Sequence, residues 1–104
     1  MKNLENIVIF RQYKNHGDII ALFPYDIQNI YGSCNSYMRI GQHGSAHYQG
    51  VIRDTQPISK DSEEVKSLLE ELESIGYEGL VIRKQLNASY MEQAMTEFNE
   101  NYVS

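Results

Sequence analysis

His43 and His47 stand four residues apart, the spacing at which two imidazoles on one helical turn can share a Zn²⁺. Gly41 and Gly44 beside them argue against a helix there. In a hairpin the two rings could converge with His16 or Cys34 as a third ligand, but no spacing in the chain demands it. We therefore expect neither a metal nor any other cofactor, and read His43 as a residue whose ring hydrogen-bonds the turn backbone. Cys34 with His43 or His47 would supply a thiolate and a base for nucleophilic catalysis. No local signature surrounds this cysteine, and a lone Cys in a strand is more often a small buried residue. Gly32, Gly41, Gly44 and Gly50 do not form a phosphate-binding loop, since none opens a helix after a strand with the needed Lys or Gly spacing. No carboxylate pair falls at strand ends where a pocket would separate two pKa values. The expectation is a protein that is not an enzyme; a small metal- or thiol-dependent enzyme at the Gly41–Gly44 turn ranks last.

Two surfaces remain. Tyr13, Tyr37, Arg11, Arg39 and Arg53, with His43 beside them, could share one face of a sheet, and aromatic rings interleaved with Arg are what single-stranded nucleic acid stacks upon. Against this stands a net charge of −5, unevenly spread: residues 1–60 hold six Lys/Arg against four Asp/Glu, residues 61–104 three against ten. Phosphate binding needs local positive potential, so direct nucleic-acid binding is disfavoured. The acidic half offers the other surface. In a helix over Asp61–Ile75, Glu63, Glu70 and Glu73 form a carboxylate row on the outer face, with Glu64, Glu71 and Glu78 at its margins. Such a row can present negative charge to a basic cleft on a partner protein, or serve only as a solvated helix surface.

The element that must position these groups is that same helix. Val65, Leu68, Leu69, Leu72 and Ile75 recur at i, i+3, i+4, i+7 and i+10, one apolar stripe at 3.6 residues per turn. Asp61 and Glu64 have capping-box spacing, and Gly76 ends the helix in the left-handed conformation. The stripe needs a sheet to lie on. Asn6–Tyr13 and Asp18–Phe23 are β-branched and aromatic and form a hairpin through Gly17, apolar enough on both faces to be covered on both; Pro24 should end the second strand. Tyr25–Gly32 is read as a loop. Cys34–Ile40 and His47–Arg53 are read as strands joined by a tight turn in which Gly44, with Gly41, takes positive φ. Pro57 breaks the crossover to the helix, Tyr77–Leu86 returns as a strand, and Ser89 with Glu92 caps a last helix bearing Met91, Ala94, Met95, Phe98 and Tyr102 on its stripe. The order β-β-β-β-α-β-α predicts an α+β domain over residues 1–104, a mainly antiparallel sheet of about five strands packed against two helices.

The segments Val8–Tyr25 (VIFRQYKNHGDIIALFPY), Ser36–Tyr48 (SYMRIGQHGSAHY) and Glu71–Lys84 (ELESIGYEGLVIRK) together resemble a family of short, uncharacterised proteins from bacteriophages and gut bacteria. The phrases IALFP and GQHG are its specific parts. Family members tend to stop near the equivalent of Lys84, so the resemblance implies that residues 87–104 are an addition to the family core. It implies a phage or mobile-element setting and brings no catalytic residue.

No apolar run approaches the roughly 20 residues a membrane span needs, no secretory signal is legible at the start, and a single Cys excludes an intramolecular disulfide. The reading that follows is a small acidic protein-binding module in the cytoplasm of a bacterial host, an inhibitor of a host defence nuclease of the anti-CRISPR or anti-restriction kind that acts by protein–protein contact. Its alternative is a nucleic-acid-binding domain using the Tyr/Arg face.

Overall fold

The computed structural model describes residues 4–39 and 42–103. After a short helical turn at Leu4–Asn6, the elements in chain order are β1 (Ile7–Tyr13), β2 (Ile19–Ile27), β3 (Ser33–Met38), β4 (Gln42–His47), α1 (Tyr48–Asp54), β5 (Thr55–Pro57), α2 (Glu63–Ser74), β6 (Val81–Ile82) and α3 (Ala88–Val103). The fold is α+β, as expected, but it holds a six-stranded, mostly antiparallel sheet and three helices rather than about five strands and two helices.

The sheet runs β4-β3-β2-β1-β5, and β6 pairs with β1 as well. Antiparallel β5 takes Arg11–Tyr13, while β6 lies parallel to Ile7 and Val8. All residues of Ile7–Phe10 and of Ile19–Tyr25 are buried, because helices cover both faces of β1 and β2. On one face α2 sets Val65, Leu68 and Leu72 against Val8, Phe10, Ile19, Ala21, Phe23 and Tyr37. On the other, Val51 of α1 packs against Ile9, Ile20, Leu22 and Cys34. At the end of that face Ala94 of α3 meets Leu4, Ile7 and Tyr25.

Several elements depart from sequence expectation, each for a physical reason. β2 does not stop at Pro24. Its register to β3 shifts between Phe23 and Ile27, and this irregularity absorbs a residue that has no N–H to donate. The residues expected to turn, Gln42–Ala46, are themselves strand, paired from Met38↔Gln42 to Ser33↔His47. Gly44 sits in that strand without positive φ; Ile40, Gly41 and the side chain of Tyr102 lie outside the described residues.

Tyr48–Asp54 is a helix where a strand is expected. The local β-branched pair Val51-Ile52 favours a strand, but Tyr48, Val51 and Ile52 also fit one helical face, and the sheet takes that face. His47 caps the helix, its Nδ1 accepting from Gly50 N–H at 3.1 Å.

The cap of α2 is Ser62 rather than Asp61, its hydroxyl accepting from Val65 N–H at 3.3 Å, and Gly76 beyond the far end has φ +116° as expected. The strand expected over Tyr77–Leu86 shrinks to Val81–Ile82. Asn87, not Ser89, caps α3 by accepting from Tyr90 N–H at 3.0 Å.

Within the α2 stripe burial is graded: Val65, Leu68 and Leu72 are almost fully enclosed, Leu69 is half-buried and Ile75 is 48% exposed. Leu68→Ala or Leu72→Ala should cost about 2–5 kcal/mol in urea denaturation, and Ile75→Ala about 0.5 kcal/mol or less. Equal losses at all three positions would contradict this placement of the helix.

Candidate functional site

The chemistry-bearing residues do not converge. Cys34 pairs with Ala46 and points to the α1 face, whereas His43 lies opposite Tyr37, on the α2 face. Strand alternation therefore puts the thiol and this imidazole on opposite sides of the sheet. His47 is engaged as the α1 cap. His16 sits in the β1–β2 turn, stacked on Tyr13 at 4.7 Å and 3.2 Å from Asp18. Among the described residues no three His, Cys, Asp or Glu side chains gather as a metal site would require. Burial, with a smaller push from Asp26, raises the Cys34 thiol to about 12, so it stays protonated and unreactive at neutral pH.

Nor does the Tyr/Arg set form one face. Tyr37 is 1% exposed beneath α2, while Tyr13 packs into the cluster on the α1 side. Arg11 is a structural residue: its Nε donates to Thr55 Oγ1 at 2.9 Å and its Nη2 to the Thr55 carbonyl at 2.9 Å, which pins the end of α1 to β1. Arg53 projects from α1 into solvent beside Asp54, and Arg39 is exposed in the turn after β3. Burial raises the Tyr13 phenol, with Asp54 adding to the effect, and burial likewise raises Tyr48.

His43 belongs to an aromatic group that the sequence did not bring to notice. Its ring meets Tyr37 edge-on at 4.7 Å and Tyr77 at 6.2 Å, and Tyr77 stacks on Phe23 at 4.9 Å while its hydroxyl accepts from Asn35 at 3.2 Å. This group anchors the segment after α2 to the sheet; Tyr77 carries no local signal for it beyond following Gly76.

The carboxylates divide. Glu63, Glu64, Glu70, Glu73 and Glu78 are exposed, and helical register sets Glu63 and Glu70 opposite the buried stripe, with Glu73 to one side of them. Glu71 is half-buried and accepts a hydrogen bond from the Tyr37 phenol, so this margin of the row faces the core. Lys66 lies within the row, three residues after Glu63 and four before Glu70, yet no ion pair ties these side chains together. Two basic residues of the acidic half, Arg83 and Lys84, instead line a cleft with Lys60 beside β1. They come from segments far apart in sequence, which is why no motif announces them.

Comparison of the chain with protein-family models, with curated proteins and with solved structures finds no significant match. No helix among the described residues is long and apolar enough to cross a membrane.

Two measurements check these environments. Native Cys34 should resist alkylation by iodoacetamide at pH 8 and react fully in denaturant; fast native labelling would contradict its burial. Burial also raises Asp26, against hydrogen bonds from Asn35 and Gln28 that lower it. A carboxyl raised on folding binds its proton more tightly when folded, so the native state loses stability as pH rises through the folded pKa. Asp26→Asn should therefore melt higher than the parent chain at pH 7, the gap closing as pH falls towards about 4. A gap that is constant with pH would mean that the ionised carboxylate is not its cause.

Proposed function

We propose that the protein is a small acidic binding module of phage or mobile-element type that acts in a bacterial host cell by protein–protein contact, with the outer face of α2 as its contact surface. The partner would be a host protein with a basic cleft, such as a nucleic-acid-handling defence nuclease whose nucleic-acid site the carboxylates occupy. One observation carries the reading: Glu63, Glu70 and Glu73 are exposed on a helix whose opposite side is locked into the core by Val65, Leu68 and Leu72. Carboxylates held in fixed register can offer a basic cleft a ladder of negative charge, much as phosphates do, with little entropy lost on binding. The setting rests on the resemblance of the IALFP and GQHG segments. The rival nucleic-acid reading has less support, because its Tyr and Arg side chains are distributed over both faces and a turn.

Capture of host-lysate proteins on the immobilised chain, followed by association kinetics with the captured partner, tests this. Association should slow as salt rises through the range where the Debye length falls below about 10 Å. The Glu63→Lys/Glu70→Lys/Glu73→Lys variant should lose the partner while melting close to the parent chain, since exposed charges contribute little to stability. A triple variant that binds as before contradicts the proposal.

A further inference from the structure

β1 is completed on the side away from β2 by two strands that stop short of each other, and the opening between them is chemically distinct. β5 pairs with β1 as far as Arg11 and β6 as far as Val8, so neither pairs with Phe10. Arg83 N–H donates to the Val8 carbonyl at 3.0 Å, which fixes the direction of Val8 towards this edge. Backbone groups alternate along a strand, so the N–H of Phe10, two residues on, points the same way. It is a donor with no strand partner. A cleft of about 340 Å³ opens there, within the range of small-molecule sites. Pro57, Ile58 and Ile82 give it apolar walls.

Lys60, Arg83 and Lys84 stand around the same cleft, and no carboxylate lines it, although acidic residues outnumber basic ones fourteen to nine in the chain. Asp61 is the nearest acidic neighbour in sequence, beside Lys60 but outside the lining. The three cations are exposed and none is in an ion pair among the described residues. Arg11, also at the cleft, is already occupied by Thr55. Arg83 spends one donor, Nη1, on the Ile82 carbonyl at 3.1 Å and keeps the rest of its guanidinium. Cations of one sign with no carboxylate among them, a backbone donor on the open edge and apolar walls suit an anion attached to an apolar body. Lys and Arg neutralise a phosphate dianion, the N–H donates to one of its oxygens, and the walls take a flat ring.

We propose that this cleft binds a small phosphomonoester carried on an aromatic body, of which a nucleoside monophosphate is the natural size. The site is distinct from the acidic face of α2, and binding across it would bridge the two short strands.

Titration of the ¹⁵N-labelled chain with AMP and with phenyl phosphate tests the proposal, read by amide shifts and by calorimetry. Saturable one-to-one binding is expected, with shifts centred on Phe10, Ile82 and Arg83 and a rise in melting temperature. Inorganic phosphate, which lacks the ring, and adenosine, which lacks the anion, should each bind at least about tenfold more weakly. Lys60→Ala/Lys84→Ala should weaken AMP by about tenfold or more, whereas Lys14→Ala, at the other end of β1, should not. Absence of saturable binding, shifts centred elsewhere, indifference to the double variant, or adenosine or phosphate binding as well as AMP would each overturn the assignment.

Discussion

The backbone hydrogen bonding of β1 is the constraint on which the rest of this fold depends. Four consecutive residues, Ile7–Phe10, are buried, so both faces of the strand must be covered, and neighbouring strands pair along both of its edges. One edge is served by β2 through a four-residue ladder. The other is served piecemeal, by an antiparallel strand of three residues and a parallel strand of two. Neither could stand alone, and each exists because β1 offers it a template. The route of the chain follows from this: α1 delivers β5 to the edge, and α2 crosses the sheet to deliver β6.

Helix α2 joins this scaffold to the surface chemistry. Its inner face is held by the aliphatic stripe and by the hydrogen bond from the Tyr37 phenol to Glu71 at the edge of the core. Fixing the inner face fixes the outer one, and the same register that buries Leu68 and Leu72 exposes Glu63 and Glu70. Charge is thereby sorted. Carboxylates occupy the back of α2, and Lys60, Arg83 and Lys84 gather where β5 and β6 leave β1. The net charge of −5 conceals this separation.

What the sequence made legible was whatever rests on local, periodic signals. β1, the start of β2 and α2 were readable because their apolar patterns run for six residues or more in one period, and Gly76 marked the helix end. The α1 segment was not. Over seven residues containing Val51 and Ile52, periods of 2 and 3.6 both fit, and only packing on Ile9, Ile20 and Leu22 decides between them. Gln42–His47 carries two glycines and polar residues and resembles a turn, but becomes strand through pairing with β3. Strands of two or three residues leave no periodic trace, so no pattern in the sequence marks β5, the limits of β6 or the cleft between them. Of the surfaces, the carboxylate row followed from helical register alone. The supposed Tyr/Arg face failed because it required strand phases and a fourth strand that tertiary pairing did not keep, and Arg11 turned inward to Thr55.

Residue-resolved hydrogen exchange along β1 tests this account most directly. Ile9 and Arg11 pair with β2, and Gln12 pairs with Gln56 of β5, so their amides should exchange slowly. The Phe10 amide, facing the opening between β5 and β6, should exchange markedly faster although its side chain is buried. If Phe10 is as well protected as its neighbours, the edge of β1 is continuous, and both the divided pairing and the cleft built upon it are wrong.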